Sequence, residues 1–172
     1  MLRRFQPTLC VNHYLDIKMS TLNNYGCRYL FCDIDNTLVA YYEKTPNEQV
    51  ENFLKVLKEN DITIILISNN TLQRVSTFAK EIDAPYYHNA TKPLKRTYKK
   101  IIEDFNISDL STIVCLGDQL MTDIYGANKM HLKSILTKPM VTKDLFCTKL
   151  NRFLERHIFQ SLKKRGLINE QQ

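Results

Sequence analysis

No stretch of this 172-residue sequence approaches the ~18 consecutive apolar residues that a membrane-spanning helix requires. Nor does an apolar run follow Arg3 and Arg4, so the start of the sequence does not read as a secretory signal peptide. Together these absences predict an intracellular, cytoplasmic protein, peripheral at most on the inner face of a membrane. The five cysteines (Cys10, Cys27, Cys32, Cys115 and Cys147) are odd in number and contain no CxxC. That argues against a disulfide framework and a cysteine-held metal, and predicts buried free thiols in a reducing compartment. His13, His88, His131 and His157 are scattered without metal-ligand spacing and are assigned no role. The length leaves room for one domain with a continuous core, and 44% hydrophobic with 24% charged residues argues against disorder.

Base is in excess, with a formal net charge of +6, but its placement matters more than its size. Residues 149–165 hold six bases against a single acid, Glu155, so nearly all of the excess belongs to the tail and the body is close to neutral. That makes nucleic acid an unlikely partner.

The most informative stretch is Arg28 to Val39, RYLFCDIDNTLV. An apolar run, Tyr29 to Cys32, ends abruptly in two acids, Asp33 and Asp35, followed by Asn36 and Thr37. In a parallel α/β sheet the carboxyl ends of strands are where ligands bind, which gives acids in that position a use. Further along, Thr45, Pro46 and Glu48 suggest a helix start, with Thr45 as N-cap and Pro46 at the first helical position. Val50, Phe53, Leu54 and Leu57 then form one buried stripe. ITIILI at 62–67 reads as a strand covered on both faces, and ends in Ser68, Asn69 and Asn70. Leu72, Val75, Ala79 and Ile82 mark a second helix, 85–87 a short strand, and Thr91-Lys92-Pro93 the start of a third helix carrying Leu94, Tyr98, Ile101, Ile102 and Phe105. TIVCL at 112–116 runs into Gly117-Asp118, a helical piece near 122–129 follows, and 132–136 is a last strand. This alternation predicts a three-layer α/β/α, Rossmann-like parallel sheet spanning residues 28–142. Residues 1–27 read as a leader packed on the domain edge, and 143–172 as a basic amphipathic helix and tail.

Three strand ends thus carry Asp33, Asp35 and Thr37; Ser68 and Asn69; and Asp118 with Asp123, while Lys92 lies between. Taken singly, Ser68 reads as a helix cap, Lys92 as a solvated lysine and Asp123 as a cap or surface acid. A calcium loop beginning at Asp33 is ruled out, because its sixth and twelfth positions are Leu38 and Lys44 rather than Gly and Glu. Jointly, an acidic cluster with one lysine and one hydroxyl is what a Mg²⁺-assisted attack on a phosphate needs.

DIDNT at 33–37, Ser68, the Lys92-Pro93 pair and GDQLMTD at 117–123 resemble, in order, the four motifs of the haloacid dehalogenase superfamily. The resemblance implies a phosphomonoesterase with Asp33 as nucleophile and Asp35 as general acid. Thr37 would orient Asp35, and Ser68, with Asn69 beside it, and Lys92 would hold the phosphoryl oxygens. Mg²⁺ would be bound by Asp33, Asp118 and the Asp35 carbonyl, with Asp123 acting through its waters. DIDNTLVAY, ISNN, TKP, GDQLMTDIYGAN and TKLNRFLERHIF look like the YqeG-like branch over nearly the whole chain. Eukaryotic relatives of that branch are mitochondrial phosphatases of phosphatidylglycerophosphate, which makes this lipid the expected substrate. With 30 residues between Thr37 and Ser68 and 23 between Ser68 and Lys92, neither interval holds a cap domain. An uncapped site suits a large or membrane-bound phosphate ester.

Two basic features remain. Lys95, Arg96, Lys99 and Lys100 follow Lys92 on one helix, as a solvated face or a rim for anionic groups. In the tail, Leu150, Leu154, Ile158 and Leu162 repeat beside Phe146 and Phe153, flanked by bases. Such a helix can lie on an anionic membrane, on the domain or on a second subunit, and the oligomeric state stays open. The competing readings are a phosphatase of nucleic-acid ends or small metabolites, and a non-catalytic binding module on the same fold.

Overall fold

The computed structural model describes residues 2–141 and 149–168. Six strands form one wholly parallel sheet: β1 (Leu9–Val11), β2 (Tyr29–Cys32), β3 (Thr63–Ile67), β4 (Tyr86–Tyr87), β5 (Ile113–Gly117) and β6 (Lys133–Thr137), in the order β1-β6-β5-β2-β3-β4. The helices are α1 (Met19–Asn24), α2 (Glu48–Glu59), α3 (Leu72–Glu81), α4 (Lys95–Asp104), α5 (Tyr125–Lys129) and α6 (Lys149–Lys164). Strand side chains alternate between two apolar layers. Leu30, Cys32, Ile64, Leu66, Val114 and Leu116 face Val50, Phe53 and Leu57 of α2 and Val75 and Phe78 of α3. Phe31, Ile65, Ile67, Ile113 and Cys115 face Tyr98 and Ile101 of α4 and Ala127 of α5. Covering both faces explains why the strands read as continuous apolar runs. The expected three-layer α/β fold is the one observed, with no cap among the described residues.

Three details differ from expectation. The cap of α2 is Asn47, whose side chain accepts from Val50 N at 3.1 Å, so Thr45 and Pro46 lie before the helix. Asn and Asp cap at least as well as Thr, and the nearer one to the stripe wins. The third helix opens at Lys95 rather than at Thr91. A residue preceding proline is disfavoured in the helical region, so Lys92 stays in the loop. Finally, part of the N-terminal stretch enters the sheet itself, with Leu9, Cys10 and Val11 paired in register with Ile135, Leu136 and Thr137.

The tail helix α6 docks on its own domain. Ile158 and Phe159 pack on Cys10, Leu120, Ile124 and Leu136, and Leu162 is fully buried. Cys10, Cys27, Cys32 and Cys115 are buried, and Cys27, Cys32 and Cys115 are free thiols, while Cys147 and Phe146 lie outside the described residues.

Candidate active site

Chain order reverses beside β2: the chain moves through β3 to β4, then returns to β5 on the other flank. The crevice at such a reversal is where open α/β sheets bind ligands. Register then places the acids. Cys32 lies opposite both Leu66 and Leu116, so Asp33, Ser68 and Asp118 all emerge at the same rim. Asp33 N donates to Leu116 O at 2.9 Å and fixes the turn.

The centre is a buried charge network. Lys92 Nζ donates to Asp33 Oδ1 at 2.7 Å, to Asp123 Oδ1 at 2.6 Å and to the Ile67 carbonyl at 2.9 Å. Lys92, Asp33, Asp118 and Asp123 are all buried. Burial pushes the Asp33 carboxyl up to about 6; Asp123 and Asp35 push the same way and Lys92 opposes them. Burial works against the charge of Lys92, yet Asp123 and Asp33 outweigh it and hold the ammonium well above its usual range. A surface lysine is thereby excluded.

Lys92 is presented by a constrained loop. Asn69 clamps it through both backbone groups: Lys92 N donates to Asn69 Oδ1 at 2.7 Å, and Asn69 Nδ2 donates to the Lys92 carbonyl at 3.2 Å. Thr91 adopts φ +53, uncommon for a β-branched residue and a form of local strain found at functional sites. Ser68 is buried and accepts from Asn70 N at 3.1 Å. It does not cap α3, because that place belongs to Thr71. Thr37 Oγ1 donates to Asp33 Oδ2 at 3.2 Å rather than to Asp35, which corrects the expected pairing. The tight turn through Asn36, at φ +65, brings residue 37 back over residue 33.

Asp35 is held apart from this cluster. Arg74 Nη2 and Nε both reach its Oδ1, at 2.8 and 3.1 Å, and Asn70 Nδ2 donates to its Oδ2 at 3.0 Å. The sequence reading missed Arg74. Its signal was a base in the first turn of a helix, against the helix dipole, which calls for a nearby acid. Glu155 was also missed. The only acid within residues 149–165, it is buried and accepts from Met121 N at 2.9 Å, within the loop that bears Asp118 and Asp123. That loop winds as a π-helical turn, Leu120–Ile124. Gly117 makes room for it, since a Cβ there would come within 2.3 Å of Asp123 Cγ.

Asp33, Asp118 and Asp123 each offer a carboxylate oxygen, and these oxygens lie within 4.8 Å of one another. An all-oxygen anionic set of this kind fits a hard divalent cation.

The chain matches the family model "haloacid dehalogenase-like hydrolase" over residues 5–131. It belongs to that hydrolase family and is a phosphomonoesterase within it. It is 30% identical to the protein named "Probable phosphatase YqeG" of Bacillus subtilis (strain 168) over 169 residues, 98% of each chain. In fold it resembles a hypothetical protein from Xanthomonas campestris, with TM-score 0.55, 13% identity, and 73% and 72% of the two chains covered. It also resembles the 3-deoxy-D-manno-octulosonate 8-phosphate phosphatase of Yersinia pestis, with TM-score 0.51, 15% identity, and 67% and 66% covered.

Proposed function

We propose that the protein is a Mg²⁺-dependent phosphomonoesterase that works through a phospho-Asp33 intermediate, with phosphatidylglycerophosphate as its substrate. The observation that carries the chemistry is the buried convergence of Asp33, Lys92, Asp118 and Asp123 at the crevice between β2 and β5. That no cap covers the crevice among the described residues supports a large, membrane-held substrate.

In this reading an Asp33 oxygen attacks phosphorus and the bond to the leaving alkoxide breaks. Thr37 and Lys92 orient the nucleophile, one on each oxygen. Asp35 turns out of the grip of Arg74, takes up a proton from solvent and delivers it to the alkoxide. A water then attacks phosphorus, gives its proton to Asp35, and phosphate leaves as the P–O bond to Asp33 breaks. Ser68 and Lys92 hold the phosphoryl oxygens, and Asn69 keeps the Lys92 loop in place. Asp33, Asp118 and the Asp35 carbonyl, with Asp123 acting through its waters, would hold magnesium, which when bound would neutralise charge between the anionic nucleophile and the anionic phosphate.

The test is phosphate release from phosphatidylglycerophosphate in liposomes, compared with sugar phosphates and nucleotides. Faster turnover of the lipid is expected, together with loss in EDTA. Equal or slower turnover of the lipid refutes the substrate assignment and leaves the phosphatase intact.

A further inference from the structure

Among the described residues, the four most exposed large apolar side chains are Tyr42 at 63%, Leu94 at 55%, Leu72 at 50% and Leu15 at 43%. Each lies in the connection that follows a different strand: β2, β4, β3 and β1 respectively. Because the sheet is wholly parallel, all four connections leave by the same rim, the one that carries Asp33. Three of these connections are laced together. Arg74, just after Leu72, donates to the Lys44 carbonyl at 3.0 Å, beside Tyr42. Asn89 N donates to the Asn70 carbonyl, and Asn69 grips Lys92, so the connections bearing Leu72 and Leu94 are joined. Exposed Lys44, Lys95 and Arg96 flank the apolar tips. The only acids between residues 40 and 48 are Glu43, folded onto Ala40 N at 2.9 Å, and Glu48, while 68–74 and 88–96 contain none.

Scattered exposed apolar residues need no account, but the most exposed ones gathered around one crevice do. The tail helix buries Leu162 and packs Ile158 and Phe159 partly against its own domain, so its apolar stripe is turned toward the protein. We propose that the carboxyl rim of the sheet is a membrane-docking face: Tyr42, Leu72 and Leu94 enter the headgroup layer of an anionic bilayer, and Lys44, Lys95 and Arg96 meet its phosphates. Docked in this way, the crevice opens onto the lipid surface, and a phosphate ester anchored there reaches Asp33 without leaving the bilayer. The inference rests on the lipid reading above only for the use made of the surface.

The experiment is co-sedimentation of the full chain with vesicles of phosphatidylglycerol and phosphatidylcholine, against phosphatidylcholine alone. In parallel, hydrolysis of a soluble aryl phosphate is followed. Wild type is expected to bind the anionic vesicles and to be released by salt. The triple variant Tyr42→Ser, Leu72→Ser, Leu94→Ser is expected to lose about tenfold or more in partitioning. Lys95→Glu and Arg96→Glu each lower partitioning by about fivefold or more. All variants keep aryl phosphate turnover and the wild-type circular dichroism. The proposal is overturned if wild type ignores anionic vesicles, if the triple variant binds them like wild type, or if Arg156→Glu with Lys163→Glu abolishes binding while the rim variants do not. Loss of aryl phosphate turnover in wild type would instead count against the phosphatase reading, whatever the vesicles show.

Discussion

Replacing Lys92 with methionine keeps a long apolar side chain and removes the cation from between two buried carboxylates. The three bonds of its ammonium, at 2.6 to 2.9 Å, all go to buried acceptors. Removing one partner of a buried ion pair costs about 3–5 kcal/mol, because the other charges stay behind without compensation. A domain of this size has only ~5–15 kcal/mol of stability in total, so the variant should lose a large share of it. The cost should depend on pH. Burial already holds Asp33 at about 6 with the lysine in place. Without the lysine, the folded site binds a proton more tightly still, whereas the unfolded carboxyls titrate in their ordinary range. The penalty is therefore full above the folded titration and fades as pH falls through it, by up to about 1.4 kcal/mol per pH unit for each proton taken up. Urea unfolding of metal-free wild type and Lys92→Met at about pH 7.5 and about pH 5.5 measures this directly. The expected gap is about 3–5 kcal/mol at the higher pH and narrower at the lower. A gap under about 1 kcal/mol at the higher pH, or the same gap at both, would refute the buried network.

Three further outcomes follow from the same geometry. On the proposed reading magnesium would have to displace the proton that burial helps Asp33 hold up to about pH 6, so calorimetric affinity should be level above about pH 7 and drop up to tenfold per unit well below 6; a level affinity down to about pH 4.5 contradicts this. Gly117→Ala puts a methyl where Asp123 sits, and is expected to weaken metal binding and lower activity with about 1–3 kcal/mol of destabilisation, whereas wild-type metal affinity would show that Asp123 can move freely. Arg74→Met removes the ion pair that Asp35 must leave before it can give up a proton, and is expected to raise turnover of alkyl phosphates, whose leaving groups need that proton, relative to nitrophenyl phosphate; selective slowing of alkyl phosphates would contradict the release step.

Every strand except β1, and the order of the site residues, could be read from the sequence because each depends on local pattern: apolar runs ending in Asp33, Ser68 and Asp118 mark buried strands wherever they occur, whereas the three residues of β1 are too short a run to stand out. What was not legible depends on side-chain direction across long separations. Thr37 turns to Asp33 because Asn36 takes a left-handed conformation, and Asp35 turns to Arg74, 39 residues away. The tail showed the same limit. Its spacing fitted a membrane, a domain or a subunit equally well, and the choice fell to what Leu120, Leu136 and Cys10 leave uncovered.

The central claim is that Asp33 carries the phosphoryl group between two half-reactions. Rapid acid quench of the working enzyme, followed by peptide mass spectrometry with and without hydroxylamine, tests it most directly. The account predicts a hydroxylamine-labile phosphate on the peptide containing Asp33, absent from Asp33→Asn, which also fails to turn over. A phosphate on another residue, or wild-type turnover in Asp33→Asn, would contradict it.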